Sequence, residues 1–257
     1  LVASVVMVLV GVAPPQEAAA EVLAVPDAFR QLHTPREETH VLRAPDGGLV
    51  GEQRYTVAVT GDRLTFDSRT HFTRGDESDE HGEIDLADGF HSRRFDKTVR
   101  REGRVVQEQH VDFTTGAVQW LVDGVRAERE MQFPPDTYIG SMLALVLSTV
   151  PEKHPAAASF QALVFRPDPM VVTLKAEAVD DEEFPYGTNA PVATKLRVKA
   201  DLGPVKNVLF SALIPTHYFW FTRSSEPQFV AFAGQLSNGL DVVMTPEAPV
   251  TTTAHAR

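Results

Sequence analysis

Residues 217–222 read H-Y-F-W-F-T, and a strand made of them must be covered on both sides. Alternation along a strand puts His217, Phe219 and Phe221 on one face and Tyr218 and Trp220 on the other. A strand with one face in water would be polar on that face, and this one is aromatic on both. Just upstream, Val205, Val208, Leu209, Ala212 and Leu213 recur at helical spacing. Pro215 ends that run, because proline lacks the N–H that a helix interior needs. Ser224-Ser225-Glu226-Pro227 has turn composition, and 229–233 is the returning strand. One side of this hairpin is core. The other must be covered by helices or by something that is not protein.

The rest of the chain reads as an antiparallel meander. Apolar alternation over 50–60, 63–73, 90–101, 104–114, 117–122 and 125–133 is broken by Gly61-Asp62, Glu102-Gly103 and Asp123-Gly124. Residues 21–35 read as an entry strand or arm, and the acidic run 74–82 as a loop. The period then changes. Ile139, Met142, Leu143, Val146 and Leu147 form one helical stripe between Pro135 and Pro151, with Asp136 or Thr137 as the expected cap. Gly140, Ser141, Ala144 and Ser148 form the opposite, small-residue face. Strands resume at 158–165, 170–179 and 191–199, with 180–188 as a loop, and 240–244 closes the sheet. Two short helices do not make a βαβ repeat, so a parallel sheet is excluded. The expected fold is mainly β: one curved antiparallel sheet or half-open barrel of about ten to twelve strands, with two short helices packed on or in it.

The uncharged run 1–13, followed by Ala18-Ala19-Ala20, has the form of a signal peptide with cleavage after Ala20. It is too short to span a bilayer. This divides the chain into a leader remnant (1–20), one β-rich domain (21–249) and a disordered tail (250–257). The chain has no cysteine, so disulfides, thiolate metal sites and a lipid-anchored cysteine are excluded. An exported protein without disulfides fits a bacterial periplasm. The formal charge of -11 argues against a nucleic-acid partner.

No catalytic signature is present: no nucleophile elbow, zinc helix, P-loop or dinucleotide fingerprint. The nine histidines are scattered. His71, His91 and His110 fall on neighbouring strands without metal-ligand spacing, so no metal site and no cofactor are expected. The acidic run from Asp76 has glycine at its seventh position, where a calcium loop needs it at the sixth. Arg93, Arg94, Lys97, Arg100 and Arg101 form a basic cluster, read as an outward, edge-protecting face.

The signal peptide, the meander, the Pro134-Pro135-Asp136 entry to a mid-chain helix ending at Leu147, and the late aromatic strand (Trp220, Pro227, Phe232, Gly234) together resemble an exported bacterial family whose domain carries only an unknown-function label. The resemblance runs from about residue 50 to 245. That family is similar in shape to the periplasmic lipoprotein carriers, whose half-open barrel wraps a sheet around helices and holds acyl chains. This chain departs from the carriers in its longer acidic middle section. The resemblance implies an apolar cavity and no catalytic residue. The expected function is a periplasmic or secreted protein, a monomer, binding an apolar ligand such as a lipid or acyl chain. Leu143, Leu147, Leu209, Leu213, Phe219, Trp220, Phe221 and Phe232 are the expected lining, and His217 and Tyr218 the polar handles. Two alternatives stand beside it: a cell-envelope assembly protein with a filled core and a protein partner, and a hydrolase with a dispersed triad.

Overall fold

The computed structural model describes residues 24–25, 27–30, 32, 34–122, 124–152, 157–166, 168–179, 193–201, 215–223, 227–236 and 239–247. The expected leader, the tail, the loop 180–188 and the helix over 205–214 lie outside the described residues.

A short helix α1 (Asp27–Arg30), in place of the expected entry strand, leads into eight strands: β1 (Arg36–Arg43), β2 (Leu49–Thr60), β3 (Arg63–Phe72), β4 (Asp76–Asp85), β5 (His91–Arg101), β6 (Arg104–Asp112), β7 (Ala117–Val122) and β8 (Val125–Glu130). A two-residue strand β9 (Thr137–Tyr138) precedes helix α2 (Met142–Leu147). Six more strands follow: β10 (Ala157–Phe165), β11 (Pro169–Val179), β12 (Ala193–Ala200), β13 (His217–Thr222), β14 (Phe229–Gln235) and β15 (Asp241–Pro246). All fifteen join one sheet, in the order β8-β7-β6-β5-β4-β3-β2-β1-β15-β14-β13-β12-β11-β10-β9. Nearly every neighbour pair is consecutive in the chain and antiparallel. The exceptions are β1–β15, which ties the two halves together, and the parallel pair β9–β10. The two free edges, β8 and β9, are themselves consecutive in the chain. The sheet is therefore a barrel-like meander with its seam at mid-chain.

The strand count exceeds the expected ten to twelve partly because the acidic run is strand β4, not a loop. Its charges stand opposite the basic cluster of β5: Asp76 faces Arg101, Glu77 faces Arg100, Glu80 faces Lys97 and Glu83 faces Arg94. Opposite charges directly across an antiparallel pair stabilise the ladder, so two stretches that each look like solvated coil form a strand pair. The basic cluster does not protect an edge, because β5 lies between β4 and β6. The edge strand is β8, where Arg126, Glu128, Arg129 and Glu130 supply the charges that deter strand addition. The Glu102-Gly103 hairpin forms as expected, with φ of 51° and 74° at its two residues.

Helix α2 is shorter than its stripe suggested. Thr137 and Tyr138 pair with Gln161 and Ala162 as strand, and the N-cap position is Ser141 rather than Asp136 or Thr137. The helix packs into the concave side, where Met142, Val146 and Leu147 are fully buried with Phe66, Ile84, Phe90, Phe95, Tyr138 and Phe160. The Tyr138 hydroxyl donates to the Phe90 carbonyl at 2.9 Å, so this deep tyrosine is satisfied. Gly82 on β4 leaves the space that Phe66 and Met142 occupy. A methyl group there would overlap the Phe66 ring and come within 2.9 Å of Met142 Cε. Gly82→Ala is expected to lower stability by about 2 kcal/mol, in the range of core overpacking. Denaturant unfolding checks this, and an unchanged midpoint would contradict it.

Candidate functional site: an interior cavity with one polar and one apolar wall

The concave side encloses a cavity of about 1310 Å³, above the usual 300–1,000 Å³ of small-molecule sites. Its two walls differ in kind. The wall from β10 to β15 is mainly apolar, presenting Leu163, Val172, Leu174, Phe219, Phe221, Phe232 and Met244, with Lys199, His217 and Gln235 as polar members. The wall from β1 to β6 carries two adjacent cross-strand rows of polar residues. In the first, Glu38 pairs with Tyr55, Tyr55 with Ser68, Ser68 with Glu80, Glu80 with Lys97 and Lys97 with Gln109. In the second, His40 pairs with Gln53, Gln53 with Thr70 and Thr70 with Ser78. Val99 interrupts this row before Gln107. The next row along the strands is apolar: Val57, Phe66, Gly82, Phe95 and Val111. Side chains two apart on one strand share a face, so the polar rows and this apolar floor belong to the same interior surface.

The polar wall is internally bonded. His40, 4% exposed, sits between Glu38 (3.1 Å from Nε2) and Gln53 (3.0 Å from Nδ1). The Gln53 amide donates onward to Ser68 Oγ at 2.9 Å. Burial raises the Glu38 pKa, but the bond to His40 and the Arg36 guanidinium outweigh it and hold the carboxyl below its ordinary value. Glu80 is the deeper carboxylate. Lys97 Nζ donates to its Oε1 at 2.9 Å, and Ser141 donates to Oε2 from Oγ at 2.7 Å and from its backbone N–H at 3.2 Å. Desolvation pushes this carboxyl up, yet Lys97 and Ser141 together keep it below its ordinary value. Gly140, with φ +55°, allows this close approach, since a Cβ there would lie 2.9 Å from Phe95 and 3.0 Å from Glu80 Oε2. The Tyr55 hydroxyl is buried and finds no hydrogen-bond partner among the described residues. Burial and the nearby Glu38 and Glu80 carboxylates raise its pKa well above the ordinary tyrosine value, so it stays protonated.

Of the residues expected to meet a ligand, Leu143, Leu147, His217, Phe219, Phe221 and Phe232 line the cavity. Tyr218 and Trp220 do not. The pleat of β13 sends them to the opposite face, where Trp220 is buried with Ala193, Val230 and Ala231, and Tyr218 packs against that cluster. Leu209 and Leu213 lie outside the described residues. His217 is committed to the fold: its Nε2 bonds the Gln235 carbonyl at 3.0 Å and its ring stacks on Phe232. Burial lowers the His217 pKa, and its bond to Gln235 only partly opposes this, so the ring donates as neutral imidazole at pH 7. Residues 53, 70, 78, 107 and 109 were missed as lining, because a polar residue on a strand reads as outward-facing. The usable signal was that several strands of this half carry polar side chains on both faces.

His71, His91 and His110 each meet a carboxylate, from Glu77, Asp88 and Asp96 respectively. Among the described residues no three His, Asp or Glu side chains converge as metal ligands. No described helix is long and apolar enough to cross a membrane.

No protein-family model and no curated protein matches this chain. Among solved structures, it is similar to a β-barrel-like protein of a domain of unknown function (DUF1849) from Brucella abortus. The identity is 11%, the TM-score is 0.47, and the match covers 88% of this chain and 97% of that one.

Two outcomes test the energetics of the polar wall. Glu80→Gln removes the buried carboxylate that Lys97 and Ser141 bond, and is expected to cost about 3 kcal/mol at pH 7. Because the Glu80 pKa in the fold lies below 4.5, its contribution is complete above that pH and fades as pH falls through the lower folded value. Denaturant midpoints should therefore show the gap between wild type and variant narrowing in acid, and a constant gap would contradict the assignment. Tyr55→Phe removes an unpaired buried hydroxyl and is expected to be neutral or to stabilise by up to about 1 kcal/mol. A clear loss of stability would mean that the hydroxyl has a partner.

Proposed function

We propose that this chain is a periplasmic binding protein for an amphiphile, held with its apolar chain along the β10–β15 wall and its polar portion towards β1–β6. One observation carries the reading: the 1310 Å³ cavity is mainly apolar on one wall and polar on the other. A hydrocarbon lying along this wall would add dispersion contacts to side chains that border the cavity, such as Val172, Leu174 and Met244. A cavity of this size also weighs against the envelope-assembly alternative, which needs a filled core. The histidine contacts weigh against a hydrolase. Among the described residues the imidazoles meet carboxylates, one side-chain amide and one backbone carbonyl, but no serine hydroxyl.

The test is fluorescence of the neutral apolar probe N-phenyl-naphthylamine, with native mass spectrometry of the purified chain alongside. Probe emission should rise on mixing. It should fall back in the cavity-filling variant Val172→Trp/Leu174→Trp, whose circular dichroism should match the wild type. A bare apoprotein mass together with no probe uptake would falsify the proposal and return the assembly reading to first place.

A further inference from the structure

The charges around the cavity are informative about the ligand's polar end. Six charged side chains line it: Arg36, Glu38, Glu80, Lys97, Arg166 and Lys199. Arg36 is paired with Glu38, Lys97 with Glu80 at 2.9 Å, and Lys199 with Glu177 at 3.3 Å. Arg166 is exposed at the end of β10, where water screens it. His217 is held neutral by burial. On the β1–β6 wall the two carboxylates and two cations therefore cancel, and each carboxylate has a cation beside it. Between and beyond these pairs the wall is polar but uncharged: Gln53, Thr70, Ser78, Gln107 and Gln109 all face the cavity. Thr70 and Ser78 are direct cross-strand neighbours, 6% and 9% exposed, and Gln109 is 5% exposed.

A buried ionic headgroup needs a counter-charge that is not already committed, and without one its desolvation is uncompensated. A hydroxyl or amide headgroup needs only donors and acceptors, which amide and hydroxyl side chains supply in both senses. From this cancelled charge and surplus of neutral hydrogen-bonding groups, we infer that the wall formed by Thr70, Ser78, Gln107 and Gln109 is a subsite for an uncharged, hydroxyl- or amide-bearing headgroup. This rests on the amphiphile reading above and narrows it: the cavity selects neutral amphiphiles over fatty acids, phosphate-headed lipids and cationic amines of the same chain length.

The test is displacement of bound N-phenyl-naphthylamine by three ligands with one C18 chain and different heads: monooleoylglycerol, oleate and oleylamine. An alkyl glucoside in a further arm separates a sugar head from glycerol. A neutral ligand is expected to compete at least about tenfold more tightly than either ion. Gln107→Leu/Gln109→Leu should weaken that neutral ligand by about fivefold or more, while circular dichroism matches the wild type and reports an intact fold. Equal competition by oleate or oleylamine, or a double variant that binds monooleoylglycerol and the glucoside like the wild type, would overturn the subsite and leave the binding function standing. Absence of probe uptake by the wild type counts against the binding function itself, so the two failures are distinguishable.

Discussion

The bond set around Glu80 is what the interior depends on. Its carboxylate, on β4, receives Lys97 from β5 and both the hydroxyl and the N–H of Ser141, at the entry to α2. Two strands and helix α2 thus meet at one charged group. The neighbouring glycines make the meeting possible. Gly140 brings the backbone to within reach of the carboxylate, and Gly82, two residues along β4, lets Met142 lie over the strand beside Phe66. A buried ion pair adds little net stability against a hydrophobic alternative, since desolvation offsets its attraction. Its effect here is positional, because it orients α2 as a partition between the apolar floor and the open part of the cavity.

The same pleat that builds the floor builds the polar wall above it. Along β2 the inward positions are Gln53, Tyr55 and Val57, and along β5 they are Phe95, Lys97 and Val99. Pairing registers align these changes across the strands, so polarity runs in rows across β1–β6, one of them broken by Val99, instead of scattering. A core filled only by packing would have no reason to place His40, Gln53, Ser68 and Thr70 in one hydrogen-bonded chain beneath a void. Those groups satisfy one another along the polar wall, and the mainly apolar β10–β15 wall opposite gives the cavity two sides of different chemistry.

Much of the fold was legible because its signals are local. Glu102-Gly103 and the alternation either side of it specify a hairpin without reference to the rest of the chain. Strand β4 was not legible in that way. Asp76, Asp79 and Glu80 become strand residues only through ion pairs with Arg101, Arg100 and Lys97, some twenty residues on, and each run alone has the composition of solvated coil. The site was half legible for a related reason. Aromatic and aliphatic residues announce burial, so Phe219, Phe221 and Phe232 stood out. Gln107 and Gln109 did not, since nothing local distinguishes an inward glutamine from an outward one. The two-faced strand β13 carried its own answer: parity separates Phe219 from Trp220, and only one of the two faces can border the cavity.

Topology also sets how the sheet closes on its two sides. The ladder between β1 and β15 joins the beginning of the meander to its end and holds four paired residues, from His40–Pro246 to Arg43–Val243. At the opposite closure, between β8 and β9, no ladder forms among the described residues. That closure is bridged by the chain itself and by side-chain contacts: Ser92 Oγ to the Thr137 carbonyl at 2.8 Å, Tyr138 to Phe90, and the Trp120–Phe165 ring contact between β7 and β10. A ladder holds its strands by a run of cooperative backbone bonds, whereas this seam is held by side-chain bonds and by the fully buried Phe90, Tyr138 and Phe160. Helix α2 follows directly from the seam strand β9, and its far end carries Leu147 on the cavity surface. The chain-end closure therefore rests on backbone pairing, and the mid-chain closure on the packing of the buried core around β9 and α2.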